Sequence, residues 1–214
     1  MKKYKLVIFD FDGTLADSFS FFVSAVNDLA DIYNFRKVDE VNIHTLRRYD
    51  AKRILDYLGV PLWKVPIVAK SFTAKMAERV SQISLFAGVD NMLHSLSVNG
   101  IVLSLITSNS YDNVCHVLHS KNMDLMVHPQ CGTSLFGKSS KLRNILRKTG
   151  IDPRDTIFIG DEIRDLEAAN SEGIDFGAVS WGYTDVDALL ECSPTETFSC
   201  VEEITVKLVQ QHTS

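Results

Sequence analysis

The sequence predicts an α/β protein: a doubly wound, Rossmann-like parallel sheet with a small α-helical cap inserted after its first strand. Two patterns carry this. Compact apolar runs recur at Leu6–Phe9, Ile101–Ile106, Thr156–Ile159 and Ile174–Val179, as expected of strands buried on both faces. Segments with apolar spacing of three and four follow them, and alternating strands and helices imply parallel βαβ units.

In chain order, Leu6–Phe9 is the first strand. Residues 17–85 then break the rhythm. Phe19, Phe22, Val26 and Leu29, then Ile54, Leu55 and Leu58, have helical spacing, with Gly59-Val60-Pro61 as punctuation. Ser71–Ser81 is helical too, before a turn at Ala87-Gly88. The rhythm resumes with the strand Ile101–Ile106 and a helix carrying Val114, Val117 and Leu118. Leu125–Val127 is a weaker strand candidate, and Leu142, Ile145 and Leu146 mark the next helix. Beyond the last two strands, the stretch from Glu191 is expected to be loop, closed by a helix at Val201–Val209. The division is therefore 1–16 and 86–214 for the core, and 17–85 for the cap.

A composition of 45% hydrophobic and 23% charged residues excludes a collagenous or disordered chain. The charge of −5, without a long basic run, argues against nucleic acid or an anionic membrane as main partner. Met1-Lys2-Lys3 precedes an apolar stretch that stops at Asp10, short of the roughly 7–15 residues an export signal needs. No apolar run approaches the ~18 residues of a membrane span. Cys115, Cys131, Cys192 and Cys200 lie far apart without a CxxC, as reduced thiols of a cytoplasmic protein do.

The chemistry gathers at strand ends. Asp10 and Asp12 are two apart, so in an extended chain they serve one side. Gly13 permits a sharp turn and close approach of backbone N–H groups to an anion. The second core strand ends in Thr107-Ser108-Asn109, hydroxyl and amide groups suited to phosphate oxygens. Gly137-Lys138 precedes a helix, and Gly160-Asp161-Glu162-Ile163-Arg164-Asp165 follows another strand. Asp161 and Asp165, four apart, can share a helix face. Each signal alone also fits a solvated turn or a helix cap. Ligands of open parallel sheets bind at the carboxyl ends of the strands, and all four signals fall there.

The ordered set of DxDGT, Thr/Ser, Lys and GDxxxD resembles the haloacid dehalogenase-like (HAD) superfamily, in its phosphoglycolate phosphatase-like branch with a helical cap. Phe9 to Ser18 matches the first motif, Thr107-Ser108-Asn109 the second, Lys138 the third, and Gly160-Asp161 with Asp165 the fourth. Ala87-Gly88-Val89 and Trp181-Gly182-Tyr183 extend the likeness over nearly the whole chain. The resemblance implies a Mg²⁺-dependent phosphatase acting on a small phosphorylated metabolite. Asp10 would be the nucleophile and Asp12 the general acid and base. Asp10, Asp161 and the backbone carbonyl of Asp12 would hold the metal. Gly13, Thr107, Ser108, Asn109 and Lys138 would bind phosphate, with Thr107 and Lys138 stabilising the transferring phosphoryl. Asp165 would orient Lys138 or a metal-bound water, with Glu162 beside it. Lys141 competes for the lysine role. At about 100° per residue, the stripe of Leu142, Ile145 and Leu146 centres about 30° from Lys138 and about 90° from Lys141. Lys138 is therefore expected in the site and Lys141 on the solvated flank.

His116 and His119 are three apart on a helix, but no nearby carboxylate completes a metal site. His44, Arg47 and Arg48 form either a substrate-reading cluster or a solvated basic face. Phe19 and Phe22 are expected to pack cap against core. Alternative functions are a sugar-phosphate mutase or phosphonate hydrolase of the same superfamily. A phosphoryl-switch binding module belongs to a different class; it would carry its acceptor on a later strand and lack the cap. Oligomeric state is not legible.

Overall fold

The computed structural model describes residues 4–132 and 137–209. Met1 to Lys3 of the N-terminal stretch lie outside the described residues. Strand β1 (Leu6–Asp10) leads through the short β2 (Ala16–Asp17) into four helices: α1 (Phe19–Tyr33), α2 (Glu40–Leu46), α3 (Ala51–Leu58) and α4 (Val65–Arg79). The chain returns through β3 (Ser84–Leu85) to α5 (Val89–Val98), β4 (Val102–Ile106), α6 (Tyr111–Met123) and α7 (Lys138–Thr149). It ends with β5 (Thr156–Gly160), α8 (Ile163–Ser171), β6 (Asp175–Val179), α9 (Val186–Glu191), β7 (Glu196–Phe198) and α10 (Val201–Val209).

The main sheet has the order β4-β1-β5-β6-β7, with every pair parallel. Side-chain parity along β1 divides the core. Val7 and Phe9 pack with Leu93, Leu96 and Val114 from α5 and α6. Leu6 and Ile8 pack with Leu142, Ile145 and Leu166 from α7 and α8. Burial on both faces explains why these strands are uninterrupted apolar runs. Asp10 has the parity of Leu6 and Ile8, which places it on the face where α7 begins.

The helical insert has its own apolar cluster, including Val26, Val38, Leu46, Leu58, Val60 and Val65. Its short helices are closed locally: the Asp39 and Asp50 carboxylates each accept a backbone N–H at 2.8 Å, from Asn42 and Arg53. β2 and β3 pair antiparallel, Ala16 with Leu85 and Asp17 with Ser84, where the chain leaves the sheet and returns to it.

Two elements differ from expectation. Leu125–Val127 forms no strand; Met126 and Gln130 make isolated bridges to Leu103 and Ile106 beside β4. The stretch after Glu191 holds β7, a three-residue edge strand whose Glu196 and Thr197 lack the apolar signature of the inner strands.

Candidate active site

The carboxyl ends of β1, β4 and β5 meet at one point, since Asp10 is level with Ile106 and Phe9 with Ile159. Thr107 and Asp161 follow one or two residues beyond that level. Asp10, Thr107, Lys138, Asp161 and Asp165 are all buried.

Lys138 is the first residue of α7 and only 5% exposed. Its Nζ donates to Asp10 Oδ2 at 2.9 Å and to Asp165 Oδ1, and lies 3.8 Å from Glu162 Oε2. Burial opposes its charge, but Asp10 and Asp165 hold it well above the ordinary lysine range. Lys141, expected on the solvated flank, is instead half-buried. Its Nζ donates to the carbonyl oxygens of Thr107 and Gly132 at 2.7 and 2.8 Å. It thus braces the loop after β4, and burial lowers its pKa.

Asp12 accepts Ser18 Oγ–H on Oδ1 at 3.0 Å and Asn109 Nδ2–H on Oδ2 at 3.2 Å. Burial and the neighbouring Asp10 push its pKa up to about 6, against the pull of those hydrogen bonds and of Lys138. Thr107 Oγ1 accepts the Asn109 N–H at 2.9 Å, which leaves its own proton free to donate. Ser108 is half-exposed beside it. The Asn109 side chain spans Asp12 and Met76, so it touches a carboxylate and a residue of α4.

Asp161 is fully buried and accepts Thr14 Oγ1–H on Oδ1 and the Tyr183 N–H on Oδ2, both at 2.7 Å. Burial, then Glu162, Asp10 and Asp165, push its pKa well above the usual carboxylate range. Two glycines make room for it. A Cβ on Gly13 or Gly182 would collide with the Asp161 carboxylate, and Gly13 also has φ +78°. The Gly13 N–H is taken by Ala16 O at 2.9 Å, so this glycine contributes the turn and the space rather than a donor.

Asp165 accepts the Glu162 N–H on Oδ2 at 3.2 Å as well as the Lys138 ammonium on Oδ1. Burial raises it to about 7 while Lys138 pulls the other way. For Glu162, burial is outweighed by Arg164 and Lys138, which hold it below its ordinary value. Arg164 Nε donates to Glu162 Oε2 at 2.6 Å.

Among the described residues, the carboxylates able to share one metal ion are Asp10, Glu162 and Asp165, with oxygens within 4.8 Å of one another. Lys138 contacts all three, so an ammonium already fills the space they enclose. Asp161 lies outside that group. His116 and His119 are not part of any such cluster among the described residues, and His119 breaks helical geometry at φ 58°. Asp12, Asp161 and Asp165 are all pushed up by burial and crowding, so the site is short of positive charge. An all-oxygen donor set short of positive charge suits a hard divalent cation.

The cap covers this floor. Arg47, after α2, donates to the carbonyls of Gly182 and Tyr183 at 2.7 and 3.0 Å, and Arg48 pairs with Asp185 and Glu191. Phe19 and Phe22 pack on the Tyr183 ring with centroids 5.2 and 5.1 Å away. A cavity of about 80 Å³ is lined mainly by the cap's own apolar residues, Phe22, Val26, Leu46 and Leu58 among them, and reaches Glu162, Arg164 and Tyr183 of the core without touching Asp10, Asp12 or Asp161.

The family of haloacid dehalogenase-like hydrolases matches residues 7–179. The chain belongs to this family. Among HAD-like relatives, the phosphoglycolate phosphatase of Synechococcus elongatus is 29% identical over 96% of this chain and 99% of that one. Phosphoglycolate phosphatase 1 of Pseudomonas aeruginosa is 25% identical over 89% of this chain and 75% of its own. The N-acetylmuramic acid 6-phosphate phosphatase of the same organism is 23% identical over 85% of this chain and 84% of its own. The HAD-like fold is shared with a solved structure from Lactobacillus plantarum at TM-score 0.82 and 21% identity, covering 96% of this chain and 99% of that one. CbbY from Rhodobacter sphaeroides, crystallised with phosphate, aligns at TM-score 0.73 and 18% identity, covering 94% and 96%.

Four side chains that shape the site have no role legible from the sequence: Thr14, Ser18, Arg164 and Tyr183. Thr14 and Ser18 stood inside the first motif and Tyr183 inside Trp181-Gly182-Tyr183. Only the folded chain brings them onto Asp161, Asp12 and Glu162.

Proposed function

We propose that this HAD-like hydrolase is a phosphoglycolate phosphatase-like enzyme that hydrolyses a small phosphorylated metabolite through an aspartyl-phosphate on Asp10, with Mg²⁺ as its metal. The observation that carries this is the Lys138 ammonium seated between Asp10 and Asp165 at the strand ends, with Asp12 poised beside them. Division at 1–16, 17–85 and 86–214 into core, cap and core is supported by the β2–β3 ribbon at the two crossings.

An Asp10 carboxylate oxygen would attack phosphorus as the ester P–O bond breaks. Asp12, protonated beforehand, would give its proton to the departing alkoxide. Water would then attack the phosphoryl group on Asp10, surrendering a proton to Asp12 as the acyl-phosphate P–O bond breaks. Lys138 and the Thr107 hydroxyl would hold phosphoryl oxygens, with Ser108 at the rim. Asp165 fixes Lys138, and Lys141 keeps the Thr107 carbonyl and its loop in place. Because Lys138 occupies the Asp10–Glu162–Asp165 space, we assign the metal to Asp10, Asp161 and the Asp12 carbonyl. A divalent cation bound there supplies positive charge that offsets repulsion between carboxylate and phosphate.

The relatives named above are phosphatases of different phosphate esters by name, and we assign the choice of substrate in this chain to the cap. Four free cysteines suit a cytoplasmic setting, and the charge of −5 suits a small-molecule rather than nucleic-acid partner. No described helix is long and apolar enough to cross a membrane. The test is a metal-dependent phosphatase screen over phosphorylated metabolites, including 2-phosphoglycolate and sugar phosphates. Phosphate release that needs both metal and Asp10 supports the assignment; isomerised sugar phosphate without release would make the protein a mutase.

A further inference from the structure

We infer that Tyr183 is a positioning residue that ties the seating of the cap to the orientation of Asp12. The inference rests on the phosphatase reading, because it concerns the group assigned as general acid and base. Tyr183 belongs to the loop after β6, yet every part of it is engaged. Its N–H is on Asp161 at 2.7 Å, and its carbonyl accepts from Arg47 Nε of the cap at 3.0 Å. Its ring is flanked by Phe19 and Phe22 of α1. Its hydroxyl is 2.8 Å from Ser18 Oγ, which is 3.0 Å from Asp12 Oδ1.

The proton order in this chain follows from the groups. When Asp12 is ionised, ready to take a proton from water, its carboxylate only accepts, so the Ser18 proton points to Asp12 and Tyr183 donates to Ser18. Successive hydrogen bonds polarise one another, so the tyrosine strengthens the serine's bond and fixes the plane of the Asp12 carboxylate. A tyrosine hydroxyl carries its proton at neutral pH, as a donor must. Ser18 is 1% exposed, so water does not readily replace the missing donor.

The cap end of the relay is equally specific. Arg47 donates to the carbonyls of both Gly182 and Tyr183, and its own carbonyl accepts the Asp185 N–H at 2.8 Å. These three bonds hold the loop to the end of α2. A cap that lifts would release them together, along with the Phe19 and Phe22 contacts that press Tyr183 toward Ser18. Arg47 is thus a fastener of the cap, in place of the open substrate-reading position its sequence context allowed.

The test compares Tyr183→Phe, Ser18→Ala and their double variant on two esters. One is an alkyl phosphate, whose alkoxide must be protonated as it leaves. The other is p-nitrophenyl phosphate, whose leaving group needs little help. The expected loss in kcat/KM for Tyr183→Phe is about tenfold on the alkyl ester, part of the ~10²–10⁴ that general acid catalysis supplies. The loss on the nitrophenyl ester should be under about threefold. Ser18→Ala should show the same split, Ser18→Thr should restore activity, and the double variant should lose no more than Ser18→Ala alone. Arg47→Ala should produce the split in milder form. Equal losses on both esters, or additive losses in the double variant, would overturn the relay while leaving the phosphatase assignment intact. If Tyr183→Phe fails to fold, the Ser18→Ala and Ser18→Thr pair decides the matter by the same split. A wild-type protein that cleaves neither ester would overturn the phosphatase reading, and the relay with it.

Discussion

Core and cap place very different kinds of residue over the same site. In the core, the groups at the strand ends are charged and buried; Asp10, Lys138, Asp161 and Asp165 are each at most 5% exposed, and Lys138 bonds Asp10 and Asp165. In the cap, the residues that meet the core beside them are aromatic, with Phe19 and Phe22 packed on the Tyr183 ring. Its Arg47 and Arg48 fasten it to the loop after β6 and to α9. The difference teaches that the charged groups here are set by strand register, whereas the cap meets them through ring packing and fastening contacts. Breaking the core should abolish turnover; altering the cap should redistribute it among substrates.

The largest effect expected is from metal removal. EDTA should abolish phosphate release and Mg²⁺ restore it, whereas Ca²⁺ should bind yet support little turnover because it takes more ligands at longer range. Full activity in metal-free protein would separate the site from its proposed chemistry. Next is Asp12→Asn, expected to slow hydrolysis of an alkyl phosphate by about 10²-fold or more through loss of proton transfer. Steady-state kinetics showing an unchanged rate would remove Asp12 from that role.

The two lysines sharpen the comparison within the core. Lys138→Ala removes the cation against Asp10 and should lower turnover more than Lys141→Ala, which loosens only the Thr107 and Gly132 carbonyls. Kinetics on two variants of matched thermal stability check the ranking. The reverse order would place the phosphate contact at Lys141.

How far the sequence reveals these features depends on how local they are. Asp10, Asp12 and Asp161 lie at the ends of apolar runs whose parity and length can be read directly. The α7 stripe of Leu142 and Ile145 likewise put Lys138 on the inward face. Lys141 shows the limit of that reasoning. Its angle does place it on a flank, but the flank is covered by the loop after β4, which no helical projection contains. β7 was illegible because three edge residues carry no alternation worth the name. Tyr183 and Ser18 meet across 165 positions of sequence, and nothing local to either announces the other.

The smallest effect belongs to the rim of the cap. Arg48 pairs with Asp185 and Glu191 at 3.0 and 2.9 Å, but is 42% exposed. Exposed pairs contribute about 0–1 kcal/mol, so Arg48→Ala should change rates across a substrate panel by less than about fivefold. A larger, substrate-dependent change would give this arginine a part in recognition that the ion pairs alone do not.

The central claim is that phosphoryl transfer proceeds onto Asp10. Acid quenching of the working enzyme at short times, followed by peptide mass spectrometry, tests it most directly. The account predicts one added phosphoryl group on the peptide bearing Asp10, rising and falling with turnover and absent from Asp10→Asn. Sustained phosphate release with no phosphoryl group on Asp10 at any quench time, or with Asp10→Asn still turning over, would contradict it.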